Sequence, residues 1–367
     1  VNVELDLEHL STFKMAQAMI AAKEHKAALP LLLSVQDHPN TNVSQTELLY
    51  TIGLCQFHTG DLEAAEDSFT HLLQFDTDLE PFETIPSALL MLGMISHHKK
   101  NLPIAMHQWM QGLEQLRTLD GGDPSLEVEL LTRVAQAHFE CGNVAEAVSL
   151  YEDLVARYGD AGQLLELAEI HRRLGDSYRR LGQHAKAIYH LEQAITLYKT
   201  MKFQHSLLQV RRQHAILQGE KGNVNEAVAL LQEVVIEFER DGDEEAEGST
   251  LVVLGKLAHE KGDLDLSLRY AERAQQLLPL GHPDTGDLYR LLAVLHFAHD
   301  EDEEGIVLLR QAIQSFRQHN KLHELEQTTQ ELCDALMRTS SFETAFKELL
   351  GTHDLIIETL HQRGILL

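Results

Sequence analysis

Four arginines within nine residues are the clearest chemical feature of this sequence. They are Arg172, Arg173, Arg179 and Arg180 in the segment IHRRLGDSYRRLG. Arg172 and Arg179 are seven residues apart, as are Arg173 and Arg180, so each pair shares one face of a helix, about two turns apart. A guanidinium binds carboxylates and phosphates through paired hydrogen bonds. This segment therefore predicts an anion-binding stretch.

The histidines do not predict a metal site, although the chain has 22 of them. His97 and His98 are adjacent and cannot share one helix face. His296 and His299 can share one, with Asp300 nearby, but two ligands are fewer than the three or four protein ligands of a zinc site. We therefore expect no metal.

Cysteine spacing and motifs likewise point away from catalysis. Cys55, Cys141 and Cys333 are odd in number and far apart, which predicts no disulfide framework and fits a reducing, cytoplasmic compartment. The chain contains no GxxxxGK[ST], HExxH or GxSxG motif. We therefore predict no catalytic residue and no cofactor. The residue set that a hydrolase or phosphatase would need is not recognisable in this sequence.

The charge of the chain restricts its partners. The 367 residues include 57 Asp and Glu against 30 Lys and Arg, a formal net charge of −27. Nucleic acids and anionic membranes need a basic surface, so we predict that these residues bind neither directly. No run of about 18 apolar residues predicts a membrane span. The acidic N-terminus does not resemble a signal peptide.

The helices that must position the arginines are indicated by an internal repeat. Six short turns begin at positions 60, 100, 142, 182, 222 and 262, in steps of 40, 42, 40, 40 and 40. Degenerate copies occur at Lys23-Glu24, Asp300-Glu301 and Ser340-Ser341. Glycine can end one helix in a left-handed conformation, and Asp or Asn can cap the next. The register therefore predicts pairs of helices joined by tight turns.

A small residue seven positions before each turn supports this register. Four of these residues are glycine and two are alanine, which allows a partner helix to approach closely: Gly53, Gly93, Ala135, Gly175, Ala215 and Gly255. Pro103 falls at a predicted helix start, where proline is tolerated. Pro30 fits the pattern less well, because it falls inside the predicted second helix of the first pair.

These features resemble the tetratricopeptide repeat, here with a period of about 40 residues instead of 34. The pattern is clearest in Gly175, Tyr178, Gly182, Ala187 and Leu191, and the resemblance extends over residues 8–352. It implies an all-α fold, a right-handed superhelical solenoid of about nine antiparallel helix pairs. We assign residues 1–352 to the repeat domain. Residues 353–367 are predicted to form a capping helix, whose apolar residues could instead form a homodimer contact.

The resemblance also implies where a ligand binds, because the first helix of each pair lines the concave groove in this family. Carried over to this chain, the predicted contacts are Phe57, Met94, His98, Arg133, Arg172, Arg173, Asp176, Arg179, Arg180, Arg212, Gln213, Lys256 and Arg290. The same positions in other repeats include Thr51, Leu90, Met91, Val252 and Leu291. The apolar residues could equally be packing residues.

Internal ion pairing is the alternative for the arginines. Five acidic residues lie on the same predicted face: Glu129, Glu140, Glu169, Asp176 and Glu220. Together with Arg133, Arg212 and the four arginines of the cluster, they give this face a net charge of only +1. Ligand binding and internal pairing therefore both remain open. The segment ERDGDEEAE, residues 239–247, is predicted to be an acidic loop between repeats.

A more specific resemblance is to the cytoplasmic quorum-sensing regulators of Gram-positive bacteria, the Rap, NprR and PlcR group, which have a similar repeat period and chain length. It implies a non-catalytic scaffold that captures a short peptide in its groove. In regulators of that group a DNA-binding helix-turn-helix domain precedes the repeats, and the Val1 start is compatible with such a domain lying upstream. The group often holds peptide backbones with groove asparagines, which the predicted groove lacks. A co-chaperone or assembly adaptor that clamps a partner protein's tail is the alternative.

Overall fold

The computed structural model describes residues 2–37, 43–74, 84–119, 122–161, 164–338 and 341–362. In these ranges the secondary structure is entirely helical. The helices are α1 (Asn2–Ala21), α2 (His25–Gln36), α3 (Gln45–Thr59), α4 (Leu62–Leu72), α5 (Thr84–His98), α6 (Leu102–Thr118), α7 (Pro124–Glu140), α8 (Val144–Ala161), α9 (Leu164–Arg180), α10 (His184–Met201), α11 (Gln204–Glu220), α12 (Val224–Asp241), α13 (Glu244–Glu260), α14 (Leu264–Leu277), α15 (Thr285–Ala298), α16 (Asp302–Gln318), α17 (Leu322–Arg338) and α18 (Phe342–Gln362).

The predicted all-α fold of helix pairs is confirmed, and the 18 helices of the described ranges form nine pairs in chain order. Consecutive helices pack on each other both within a pair, as α9 does with α10, and between pairs, as α10 does with α11. We call the odd-numbered helices first helices and the even-numbered ones second helices.

The turns within pairs adopt the predicted left-handed conformation. Gly142, Gly182 and Gly222 have φ values of 85°, 69° and 98°. In the degenerate turns Lys23 and Asp300 adopt the same conformation without glycine, at φ values of 64° and 61°. The backbone of these two turns is thus retained without glycine, at the energetic cost that a side chain has in this region. The third degenerate turn, at Ser340-Ser341, lies partly outside the described ranges.

The small residues before the turns sit where helices meet most closely. A Cβ on Gly93 would lie 2.2 Å from Nε1 of Trp109 on α6, and one on Gly175 would lie 2.5 Å from Cδ2 of Leu191 on α10. Trp109 also donates a hydrogen bond from Nε1 to the carbonyl of Leu90 at 3.1 Å. Glycine at these positions therefore admits a large side chain of the partner helix directly against the backbone.

The prolines lie where the sequence predicts. Pro103 is in the first turn of α6, after the N-cap residue Asn101. Pro30 lies inside α2, which continues to Gln36. Because proline has no backbone N–H, it removes the helical hydrogen bond that the carbonyl of Lys26 would otherwise accept.

The hydrophobic core is shared between neighbouring pairs, as expected for a repeat fold. One cluster combines Ala215 of α11, Leu231 of α12, Leu254 of α13, Ala271 of α14 and Leu291 of α15. These residues are at most 5% exposed. A single pair does not enclose such a core, so each pair depends on its neighbours for burial.

Contacts divide the chain into two compact units, residues 1–150 and residues 151–361, with the boundary inside α8. The predicted domain boundary after residue 352 falls inside α18, which runs without interruption from Phe342 to Gln362. The role of its C-terminal part as a cap stays a prediction, and residues 363–367 lie outside the described ranges. Among the described helices, none combines the length and apolar character that crossing a membrane requires.

The predicted acidic loop at residues 239–247 is wrong. Helix α12 extends to Asp241, Gly242 ends it with a φ of 74°, and α13 begins at Glu244. Asp243 caps α13 by accepting a hydrogen bond from the amide of Ala246. Acidic residues in the first turn of a helix interact favourably with its dipole, so this run extends a helix instead of breaking it.

Candidate ligand-binding site

First helices of successive pairs contact one another inside each unit. Helix α3 contacts α5 and α5 contacts α7 in the first unit, while α11 contacts α13 and α13 contacts α15 in the second. All 13 predicted ligand contacts lie on first helices. The structure therefore brings together, within each unit, side chains that are about one repeat apart in sequence. We call this surface the first-helix face.

The arginine cluster of α9 is held by carboxylates of its own helix. Arg172 donates from Nε to Glu169 Oε2 at 2.8 Å and from Nη2 to Glu169 Oε1 at 2.6 Å. Arg173 donates from Nε to Glu169 Oε1 at 3.1 Å. Burial alone would raise the pKa of Glu169, but the hydrogen bond and charge of Arg172 bring it below its ordinary value. Glu169 is thus an ionised acceptor shared by two arginines.

The C-terminal end of α9 is paired in a similar way. Arg179 donates to Glu220 of α11 at 2.9 Å, which links two neighbouring first helices. Asp176 lies 3.5 Å from Arg172 and also experiences the charges of Arg179 and Arg180. Burial nevertheless raises the pKa of the Asp176 carboxyl above its ordinary value. The internal ion pairs that the sequence left open are therefore present for three arginines of the cluster.

The first unit contains the apolar part of the predicted site. Phe57 and Met94 pack against a core cluster formed by α3, α4 and α5. His98 is exposed, whereas His97 contacts Glu140 of α7 at 2.9 Å. Arg133 lies 3.3 Å from Glu129, and its Nε is buried without a hydrogen-bond partner among the described residues.

Five of the other carried-over positions cannot touch a ligand, because their side chains are in the core. The exposed fractions are between 2% and 7% for Thr51, Leu90, Met91, Val252 and Leu291. At these positions the contact spacing carried over from the repeat family falls on side chains that point inward, toward the partner helices. Helical spacing predicts which residues share a face only to within about one position. Consecutive residues are rotated by about 100° around the helix axis, so an error of one position moves a side chain to another face.

In the second unit, charge pairs bridge α13, α15 and α17. Lys256 of α13 pairs with Asp287 of α15, and Arg290 of α15 donates from Nε to Glu331 of α17 at 2.9 Å. Lys321, just before α17, lies 3.1 Å from Asp287 and 3.2 Å from Asp284. The sequence analysis did not predict these acidic partners. A signal was present, because opposite charges 31 to 41 residues apart, about one repeat period, fall on neighbouring first helices.

An apolar cavity of about 580 Å³ lies beside this charged row, between α15 and α17. The apolar side chains of Val294, Phe297 and Met337 line it, together with the charged side chains of Glu331, Asp334 and Arg338. Arg338 lies over the ring of Phe297, 5.1 Å from its centroid. The first-helix face of the second unit thus combines a pocket for an apolar group with fixed charges next to it.

Arg212 and Gln213 of α11 differ from the other predicted contacts. Nε of Arg212 and Oε1 of Gln213 are buried and have no hydrogen-bond partner in the described part of the chain. Burial lowers the pKa of the Arg212 guanidinium below its ordinary value, although the charges of Asp284 and Asp243 act in the opposite direction. The guanidinium remains charged, because arginine titrates far above neutral pH.

The histidines and cysteines show structural roles. His296 shares a hydrogen bond with Glu301 at 2.6 Å, while His299 contacts the carbonyl of Leu295 at 2.8 Å, so their Nδ1 atoms have different partners. The described residues contain no group of three or more potential metal ligands. Cys55, Cys141 and Cys333 are buried and form no disulfide, and burial raises the pKa of Cys55 to about 11.

A comparison with protein families matches residues 126–200 to the tetratricopeptide repeat. These residues extend from α7 to α10. No curated protein matches the chain. The family match falls on the part of the chain where the predicted pattern is clearest.

Solved structures share the fold over almost the whole chain at low sequence identity. Aspartyl phosphate phosphatase F from Bacillus subtilis has a TM-score of 0.64 and 14% identity over 97% of this chain and 95% of that one. A Rap protein complexed with competence and sporulation factor has a TM-score of 0.58 and 14% identity over 97% and 99%. The Rap conjugation gene regulator of plasmid pLS20, in complex with the Phr* peptide, has a TM-score of 0.57 and 12% identity over 96% and 95%. The tetratricopeptide-repeat fold and the resemblance to Rap proteins are thereby confirmed.

Proposed function

We propose that this protein is a non-catalytic scaffold that binds a short peptide on its first-helix face and senses that peptide as part of a cytoplasmic bacterial regulator. The observation that carries the proposal is the second unit's first-helix face, where a 580 Å³ apolar cavity adjoins a row of half-buried charges on successive helices. An extended peptide presents an apolar side chain and polar groups a few ångströms apart, which matches this arrangement.

The regulatory part of the proposal is supported by the shared fold. The regulator of plasmid pLS20 was solved with a peptide bound, and it aligns with 96% of this chain. Three buried cysteines that form no disulfide suit a reducing compartment such as the cytoplasm. An adaptor that clamps a protein tail would use the same face, so the size of the ligand distinguishes the two functions.

The ion pairs suggest how binding would be sensed. Arg179–Glu220 and Arg290–Glu331 join neighbouring first helices, so a ligand that competes for either partner weakens a link between two repeats. A ligand that favours one spacing of the helices over another shifts the population toward it. Binding and repeat spacing would then be coupled.

Native mass spectrometry with a peptide extract of the host culture tests this function. We expect a peptide of about 5 to 15 residues to remain bound, and hydrogen exchange to slow in α13, α15 and α17 more than in α12, α14 and α16. Retention of intact proteins without a peptide adduct would support the adaptor instead. Slower exchange confined to the second helices would contradict binding on the first-helix face.

A further inference from the structure

The outer side of α18 is apolar and exposed to solvent. Four large side chains on it are between 46% and 65% exposed: Phe342, Phe346, Leu349 and Leu350. Their spacing of three or four residues places them on one side of the helix. Thr352, on another side of α18, is buried and contacts Thr329 of α17 at 3.1 Å. We call the four exposed residues the α18 stripe.

The repeat shows what such a surface receives in the preceding pair. One repeat earlier, Ile306 and Leu309 of α16 hold the places of Phe346 and Leu349. Both are at most 9% exposed, and they share a core cluster with Leu325 of α17, which packs on α16. The α18 stripe is therefore the surface on which a repeat fold places its next helix.

A pocket of about 290 Å³ opens beside the α18 stripe, between α17 and α18. Phe346, Leu349 and Leu350 line it together with Ile356, and Glu326 of α17 contributes a carboxylate. Small-molecule sites have volumes of roughly 300–1,000 Å³. This pocket therefore suits a single anchoring side chain of a larger partner.

Carboxylates border the α18 stripe on both sides. Glu326 lies on the side of α17, and Asp354 and Glu358 lie on the solvent side, toward the C-terminus of α18. No lysine or arginine of the described ranges pairs with any of these three carboxylates. Glu343 borders the stripe as well, but it is paired with Lys347 at 2.6 Å. A helix that covers the stripe therefore meets carboxylates that its own cations can pair with.

The charges distinguish between occupants of the stripe. In residues 322–362, eight Asp and Glu stand against two Lys and Arg. A second copy would place this acidic surface against itself, because a two-fold contact joins identical patches, and like charges in contact repel. The chain's own residues 363–367 reach at most about 18 Å from Gln362. Phe346 lies farther away, about 24 Å before Gln362 along α18.

We propose that the α18 stripe binds a basic amphipathic helix of a partner protein, which packs on α18 as α17 packs on α16. The apolar face of the partner helix covers the stripe, and one of its large side chains enters the pocket. Lysines or arginines along its edges pair with Glu326, Asp354 and Glu358. The stripe lies on a second helix, so this inference does not depend on the peptide proposed for the first-helix face.

Fluorescence anisotropy with three labelled peptides tests the chemistry of the partner on the full chain. The first is a peptide of about 14 leucines and lysines, with the leucines at helical spacing. The second replaces each lysine by glutamate, and the third has the composition of the first without the helical spacing. We expect the first to bind about tenfold more tightly than the others at about 150 mM salt. Equal binding of the first and third peptides, or tighter binding of the second, would overturn the proposal.

Two matched double variants locate the binding surface. Phe342→Gln with Phe346→Gln should weaken binding of the first peptide about tenfold or more, because it removes apolar area from the contact. Tyr189→Gln with Ile236→Gln, on α10 and α12, also removes two exposed apolar side chains and should leave the affinity unchanged. All four positions are exposed, so the circular dichroism of both variants should match that of the wild type. An unchanged affinity in the double phenylalanine variant would contradict the proposed surface.

The acidic border is tested by removing charge alone. Asp354→Asn with Glu358→Gln should weaken binding of the first peptide about threefold, because cations of the peptide lose their partners. The same changes at the exposed Asp265 and Glu272 of α14 serve as the control and should have no effect. If the two acidic pairs contribute equally, the peptide responds to the net charge of the protein and the proposed border is wrong.

Sedimentation velocity distinguishes a partner helix from a second copy. We expect the wild type and the double phenylalanine variant to sediment alike. A wild-type dimer that this variant converts into a monomer would show that the α18 stripe binds its own copy, and the proposal would be wrong.

Discussion

Single residues explain why the helices of a pair approach as closely as they do. Gly93 faces Trp109, and a methyl group in its place would overlap the indole. Gly351 on α18 is the opposite case, since nothing lies within 4 Å of a Cβ added there. The same substitution at these two helical glycines should therefore have effects of opposite sign.

We expect Gly93→Ala to lower the free energy of unfolding by about 1–3 kcal/mol, because the added methyl group forces Trp109 to move. Gly351→Ala, its control, should raise it by about 0.5–1 kcal/mol through helix propensity alone. Chemical unfolding followed by circular dichroism measures both effects. The fluorescence of Trp109, the only tryptophan, reports the local change. Equal effects of the two substitutions would contradict the close approach.

We expect a pair of histidines between α9 and α10 to make the stability of the protein depend on pH. Nδ1 of His171 lies 2.9 Å from Nδ1 of His190, and His171 is 7% exposed. Burial, followed by the charge of His190, lowers the pKa of His171 from 6.5 to about 4. Tyr178 stacks on His190, contacts Glu152 and lies under Lys186, so charged groups surround the pair.

Because the folded pKa of His171 is below the unfolded one, its contribution to stability is complete above pH 6.5. It is lost as the pH falls from there through the folded pKa near 4. We expect His171 to lower the free energy of unfolding by about 2 kcal/mol between pH 7 and pH 5, and we expect this contribution to be absent in His171→Phe. The measurement is urea unfolding at both pH values, with exposed His98→Phe as the control. An unchanged pH slope in His171→Phe would refute this role.

At the level of helices, ion pairs across neighbouring first helices fix their spacing. Arg290 and Glu331 are partly buried and joined by three hydrogen bonds, two from Nε of Arg290 and one from Nη2, which donates to Oε1 at 2.5 Å. The Glu331 hydrogen bond raises the pKa of Arg290 above its ordinary value. By contrast, Arg240 and Asp241 form an exposed pair at 3.7 Å inside one helix.

A double-mutant cycle of Arg290→Ala and Glu331→Ala should therefore give a coupling energy of about 1 kcal/mol, and about 1 M salt should reduce it. The exposed Arg240–Asp241 pair should give less than about 0.5 kcal/mol. Urea unfolding of the single and double variants measures both cycles. A coupling energy no larger for Arg290–Glu331 than for the exposed pair would rule out a helix-spacing role.

For the molecule as a whole, the excess of acidic residues governs association with charged partners. The net charge of −27 repels polyanions, and the arginines of α9 that could attract them are engaged by Glu169 and Glu220. We expect a DNA duplex of about 30 base pairs to show no binding in fluorescence anisotropy at about 50 mM salt, where non-specific binding is strongest. Binding that weakens with added salt would reveal a basic surface that neither the charge nor the ion pairs predict.

Much of the fold could be predicted from the sequence because it depends on local chemistry. A left-handed turn needs glycine or a tolerated substitute, and a close helix contact needs a small residue, so Gly60, Gly142 and Gly175 predicted pairs, turns and contacts correctly. The acidic run at 239–247 predicted a loop wrongly, because acidic residues at a helix start also stabilise a helix.

The sequence assigns the candidate site to particular helices, but it does not determine how the charged side chains of those helices are paired. Whether Arg172 binds a ligand or Glu169 depends on side-chain distances of a few ångströms, and both outcomes are compatible with the same spacing. Lys321, Asp284 and Glu331 were missed because their partners lie on other helices, 34 to 41 residues away. Arg212 is distinctive only in the structure, where its buried Nε has no hydrogen-bond partner among the described residues. Periodicity determines the repeats through local backbone preferences, whereas the partner of each charge is determined by how the repeats pack together.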